Sequence, residues 1–133
     1  MSANTSPIFP ITPIVAVASL NTATAVTSRT PITGTTGLLA LTVSSTNGTR
    51  IDAITVKAQG TTVASTVDIW ISDGTYSYLF DEFDIVAITA TTVVDAFTLT
   101  KSYSTLTLPA TYNLYVSQQV QTNLTVMAFG GIY

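Results

Sequence analysis

Val67-Asp68-Ile69-Trp70-Ile71-Ser72-Asp73-Gly74-Thr75-Tyr76-Ser77-Tyr78-Leu79-Phe80 is the stretch that decides the fold. Each half alternates with period two, the spacing at which side chains share one face of a strand. Asp73-Gly74 between them suits a two-residue type I′ turn, which needs positive φ at both central positions. With that turn as the loop, Ile71 faces Tyr76, Ile69 faces Tyr78 and Val67 faces Phe80. These apolar residues then share one buried face, so turn and pattern agree on the register. Trp70 and Leu79 fall on the opposite face with Asp68 and Ser77. That mixed face reads as a partner surface, or as one partly covered by a second sheet.

The same pattern extends in both directions. With the two strands of that hairpin included, the candidate strands are 14–20, 37–44, 50–58, 64–71, 75–81, 84–90, 95–101, 104–109, 111–118 and 123–129. They are rich in Thr, Val, Ile, Tyr and Phe, residues that suit a pleated, half-buried surface. No window shows a helical period of helix length. Short strands at regular spacing predict an all-β chain, a single-domain antiparallel β-sandwich of jelly-roll type over residues 14–133. A second hairpin is expected from Leu106-Thr107-Leu108 through Pro109-Ala110-Thr111 to Tyr112-Asn113-Leu114-Tyr115-Val116. Residues 21–36 read as a long mobile loop. The closing Phe129-Gly130-Gly131-Ile132-Tyr133 suggests a tail tucked into the fold or against a neighbour.

Residues 1–13, MSANTSPIFPITP, hold three of the five prolines and read as an extended Pro-rich N-terminal arm. Pro7, Ile8, Phe9, Pro10 and Ile11 are its candidate contacts. The arm docks on a partner or along its own domain's edge, since termini are ordered only when tied down. No Lys or Arg precedes Arg29, which argues against a secretory signal in this segment.

Composition narrows the chemistry. The 133 residues hold 27 threonines, no histidine, no cysteine and eleven charges, 8 % against roughly 25 % in ordinary soluble domains. There is no imidazole base or ligand, and no thiol nucleophile or zinc-thiolate site. No cofactor is expected and the chain reads as non-enzymatic. Arg29, Arg50, Lys57 and Lys101 are scattered and the net charge is −3, so no basic patch for nucleic acid is expected. No uninterrupted apolar run of about 18 residues exists, so no membrane-spanning helix is expected.

Asp81-Glu82-Phe83-Asp84 is the densest acidic cluster. It lacks the spacing of a calcium loop, and catalytic carboxylate pairs sit on separate elements. It reads as a solvated turn after the hairpin, with cation binding as the alternative. A Ser–Lys pair with Lys57 or Lys101 lies in no motif, and no phosphate-binding loop is present. Trp70, Tyr76, Tyr78, Tyr103, Tyr112, Tyr115 and Tyr133 include rings able to stack on sugars, but on a sandwich they read first as core or interface.

Several segments carry a family resemblance. They are Asn4-Thr5-Ser6-Pro7-Ile8-Phe9, Asn47-Gly48-Thr49-Arg50-Ile51, Lys57-Ala58-Gln59-Gly60-Thr61-Thr62, Ile69-Trp70-Ile71-Ser72-Asp73-Gly74, Leu79-Phe80-Asp81-Glu82, Leu108-Pro109-Ala110-Thr111-Tyr112-Asn113-Leu114-Tyr115-Val116 and Val126-Met127-Ala128-Phe129-Gly130-Gly131. Through them the chain resembles small virion proteins of tailed bacteriophages. The match is one of strands and turns, weakest over residues 14–45 and 91–104. Similar chains often carry Gly where this one has Thr111.

The resemblance implies a capsid cement or decoration protein. It would be made in the host cytoplasm and sit on the capsid surface as a homo-dimer or homo-trimer. Its partner would be the major capsid protein, with the arm residues and, less centrally, Trp70 and Leu79 at interfaces. Few charges and much apolar and threonine surface are compatible with large buried contacts. A tail or head-fibre component that binds a host surface glycan is the alternative.

Overall fold

The computed structural model describes residues 12–21, 23–41 and 46–133. The arm contacts Pro7, Ile8, Phe9, Pro10 and Ile11 therefore lie outside the described residues. Ten strands and no helix form among the described residues. In chain order they are β1 (Thr12–Ser19), β2 (Ile32–Thr33), β3 (Leu39–Ala40), β4 (Thr49–Ala58), β5 (Ser65–Ser72), β6 (Tyr76–Ile85), β7 (Thr98–Ser102), β8 (Thr107–Leu108), β9 (Asn113–Gln118) and β10 (Leu124–Ile132). Thr12 and Pro13 already belong to β1, so the strand takes in the last two residues of the expected arm.

All pairings are antiparallel. The first sheet runs β1-β10-β4-β7, with β8 on β4, and the second runs β2-β6-β5-β9-β3. With the two-residue β2 and β8 set aside, eight strands remain. Their order is first–eighth–third–sixth in one sheet and second–seventh–fourth–fifth in the other. That is the jelly-roll order, in which consecutive strands cross between sheets and close two Greek keys.

Alternation builds the core. Ile54 and Val56 of β4 and Leu124, Val126 and Ala128 of β10 meet Val67, Ile69, Phe83, Ile85, Leu114 and Val116 of the second sheet, all buried. Each large side chain among them contributes about 1.5–3 kcal/mol by leaving water. Gly130 marks a register shift between β10 and β4. A Cβ there would lie 1.9 Å from the Arg50 carbonyl oxygen, so only glycine fits this close approach. The chain end is tucked in as expected: β10 continues to Ile132 and the Tyr133 N–H donates to the Gly48 carbonyl at 3.1 Å.

The structure corrects the decisive hairpin. Ser72 pairs with Ser77, Ile71 with Tyr78 and Trp70 with Leu79. A shift between Ile69 and Trp70 then sets Ile69 opposite Asp81 and Val67 opposite Phe83. The turn is longer than two residues because Asp73 keeps a negative φ, Gly74 alone being positive at 93°. Instead of turning left-handed, Asp73 accepts the N–H groups of Thr75 and Tyr76, both at 2.8 Å. Phe83 therefore enters the core where Phe80 was expected. Phe80, Tyr76 and Tyr78 are exposed.

Two other expectations also change. Leu108 and Thr107 pair with β4, whereas Asn113–Gln118 pairs with β5 and β3. Pro109–Tyr112 is a turn, with the Tyr112 N–H donating to the Pro109 carbonyl at 3.0 Å. It links the two sheets and closes no hairpin. The acidic cluster lies inside β6, not in a turn.

Candidate interaction surfaces

The outer faces of the two sheets are built differently. On the first sheet, Val15 of β1 lies opposite Phe129, and Val17 opposite Met127. The same rows continue through Ala53 and Thr55 to Ser102 and Thr100. Val15 is 60 % exposed and Val17 59 %, with Phe129 exposed and Met127 half-buried. The result is an aliphatic and aromatic plaque at the β1 side that grades into hydroxyls toward β7. Thr55 and Thr100 share a hydrogen bond at 2.8 Å. Lys57, one row further, is tied down through its Nζ to the Ala96 carbonyl at 3.1 Å. Beside Ala53 on β4, the exposed Asp52 is paired with Arg50 at 2.7 Å. The four plaque residues themselves carry no charge, and the plaque was not foreseen. Its signal stood in Val15-Ala16-Val17-Ala18, where alternation sets small residues inward and valines outward.

The second sheet's outer face is covered by its own chain. The Val26 N–H donates to the Gln118 carbonyl at 2.9 Å, Arg29 Nε meets Glu82 Oε1 at 2.5 Å, and Ser77 Oγ donates to the Gly34 carbonyl at 2.6 Å. These ties reach from β9 to β6, so the segment between β1 and β3 crosses over β5. Trp70 lies beneath it, fully buried, with its indole N–H donating to Ser117 Oγ at 2.8 Å. Trp70 is therefore an internal residue and not an exposed interface residue. Leu79, its cross-strand neighbour, is half-buried. The segment expected to be a mobile loop is held at Val26, Arg29 and Gly34 by these bonds.

Asp68 also lies on the covered face. It is fully buried opposite Glu82, accepts a hydrogen bond from Gln119 Nε2 on one oxygen, and its Oδ1 has no partner. Burial pushes its pKa up to about 6, helped by Glu82 and opposed by Gln119 and Arg29.

At the hairpin end, Tyr76 and Tyr78 are neighbours with ring centroids 6.4 Å apart, and Phe80 packs on Tyr103 at 5.7 Å. Tyr103 donates its hydroxyl to Asp81 Oδ2 at 2.7 Å, and Lys101 Nζ meets Asp81 Oδ1 at 3.0 Å. Lys101 also lies 4.8 Å from the centre of the Phe83 ring. Burial raises the Asp81 pKa, but the Tyr103 and Lys101 contacts outweigh it and hold the carboxyl below its ordinary value. The same burial and the Asp81 contact raise the Tyr103 hydroxyl. Asp81 thus bridges the sheets, while Glu82 holds Arg29. Among the described residues no group of three or more acidic side chains is placed to hold a metal.

A cleft of about 300 Å3 opens between the β4–β5 and β9–β10 connections, lined by Gln59, Gly60, Thr61, Val63, Gln121, Thr122 and Asn123. Gln59 is bonded at both ends of its amide, to Asn21 and to Thr125. Among the described residues no aromatic ring lines the cleft, so they offer a sugar no stacking platform there.

Comparison with family models, with curated proteins and with solved structures finds no match.

Proposed function

We propose that this chain is a structural protein of a tailed-phage virion, a cement or decoration protein that adds stability to the head shell by binding it. The observation that carries this reading is the open plaque of Val15, Val17, Met127 and Phe129, a contiguous apolar surface with no charge on it. It lies on the strand into which the Pro-rich arm leads, so plaque and arm would engage the major capsid protein together. The mechanism is mass action: a protein that binds the assembled shell and not its separated parts shifts the equilibrium toward the shell. The reading needs no catalytic group. Asp81, Glu82, Asp68, Asp52 and Asp73 all hold hydrogen bonds or ion pairs within the fold.

The test is cryo-electron microscopy of the intact particle that carries the chain. Regular density on the head lattice, with the plaque or arm against the capsid protein, is the expected result. Density at the tail alone overturns it.

One observation favours a second reading, a tail or head-fibre component that binds a host glycan. Tyr76 and Tyr78 stand exposed side by side, as a platform for sugar rings would. Jelly rolls serve both capsid and lectin domains, so the fold does not choose between the two. Saturable binding to a glycan array, lost in Tyr78→Ala, would favour this reading.

A further inference from the structure

We infer that β1 is the edge at which two copies of this chain pair, antiparallel across a two-fold axis, into one continuous sheet. This inference does not depend on the virion reading.

The argument starts from the direction of the β1 backbone groups. The Leu20 N–H donates to the Leu124 carbonyl at 2.8 Å, and these residues continue the unbroken β1–β10 register that pairs Ser19 with Thr125. In an antiparallel ladder the hydrogen-bonded pairs alternate. Thr12, Ile14, Ala16 and Ala18 therefore direct their backbone groups toward β10, and Pro13, Val15, Val17 and Ser19 direct theirs outward. Pro13 fits this assignment independently, since it lacks an N–H and stands where none is needed within the fold.

The outward groups of β1 meet no strand among the described residues. An open row of this kind is a template for another strand, and proteins blunt such edges with short length, lysine, proline or bulges. The other edges are blunted. β2 and β3 are two residues long, and β7 has five residues that include Lys101. β1 is eight residues long, runs without a bulge, and has its proline only at the second position.

A second copy is the occupant the sequence fits. No charged side chain precedes Arg29, so two β1 strands meet without like-charge repulsion. In the register centred on Ala16, Val15 exchanges both backbone hydrogen bonds with Val17 of the partner subunit. Pro13 accepts one from Ser19 of the partner subunit, giving about six bonds across the axis. Residues directly opposite share a face, so the valines of both copies join on the outer surface. The two plaques then become one, with Phe129 and Met127 of each copy flanking it. Main-chain bonds supply the affinity, as in strand addition generally.

Sedimentation of the purified full chain across a concentration series tests this. The expected result is a monomer–dimer equilibrium. In Val15→Pro, which removes an outward N–H and spares the β1–β10 ladder, the dimer should be roughly tenfold to hundredfold weaker from the lost interfacial bonds. Circular dichroism checks that the variant is folded. If it is not, Val15→Lys with Val17→Lys keeps every N–H and should also dissociate the dimer through charge repulsion. Because the chain has no cysteine, Ala16→Cys gives a register-specific readout. Two copies of position 16 would face each other as a non-hydrogen-bonded pair about 4.5 Å apart between Cα atoms, close enough to oxidise to a covalent dimer. A chain that stays monomeric at all concentrations overturns the inference. So does a dimer unaffected by the folded proline or lysine variants, or an Ala16→Cys chain that does not cross-link.

Discussion

One sheet of this sandwich has its outer face covered by its own chain, and the other has its outer face bare. The covered face holds Trp70, Ser72, Ser77 and Asp68, and its polar atoms are bonded to neighbouring backbone and side chains, except for one oxygen of Asp68. The bare face holds Val15, Val17, Met127 and Phe129 beside a band of threonine. The difference follows from what burial demands. Polar groups under a cover need partners inside the fold, or they are destabilising. A face left for another molecule need only be apolar and free of charge. The covered face should therefore govern stability, and the bare face should govern association.

The largest expected effect breaks the covered side. Trp70 is fully buried and its N–H is satisfied by Ser117. Trp70→Ala removes that packing and leaves a cavity, at a cost of about 3–5 kcal/mol. The Ser117 hydroxyl also loses its partner. Urea unfolding of the variant should show a midpoint far below that of the wild type. A change under about 1 kcal/mol would mean that the segment between β1 and β3 does not seal this face in solution.

Asp68 gives the next effect, and its sign follows from linkage. Its pKa is about 6 in the fold against 3.8 for the ordinary carboxyl. The native state therefore binds more protons between those values. The stabilisation from the protonated form is full below pH 3.8 and is lost as the pH rises through 6. The whole shift is worth about 3 kcal/mol, and about 2 kcal/mol of it falls between pH 4.5 and 7.5. Asp68→Asn cannot titrate, so the difference in stability between wild type and variant should shift by that amount across the window. Parallel pH profiles for the two proteins would show that the buried carboxyl is solvated in solution.

Much of this fold was legible in the residues, for reasons that also mark where reading fails. Strand positions were readable because Val, Ile and Thr alternate against turn residues, so 50–58 and 64–71 lie close to β4 and β5. Pairing was less legible. A local pattern favours the nearest strand, and in a jelly roll the next strand often belongs to the other sheet, as Thr107–Leu108 and Asn113–Gln118 do. The hairpin register was missed because the Asp73 carboxylate caps Thr75 and Tyr76 and lengthens the turn. The fate of Trp70 was hidden for a third reason. What covers it lies some forty residues earlier in the chain, and no local pattern reports a contact of that range. The plaque was half-visible in Val15-Ala16-Val17-Ala18, but nothing in the residues alone says which face of that strand the sandwich leaves open.

The smallest effect on stability sharpens the comparison most. Val15→Thr with Val17→Thr keeps the β-branched shape that suits a strand and replaces exposed methyl groups by hydroxyls. At 60 % and 59 % exposure, these sites should change unfolding free energy by less than about 0.5 kcal/mol each. The backbone groups of β1 are untouched, so pairing between copies should persist in sedimentation. What should fall is occupancy on the particle, measured by adding the variant to heads stripped of the native protein. Two valines act there as contact surface, and their loss removes apolar burial against the shell. Unchanged occupancy with unchanged stability would leave the plaque with no part in binding, and would assign the contact to the arm. Reduced occupancy with an intact dimer would separate two roles on one strand: backbone for pairing with a second copy, side chains for the shell.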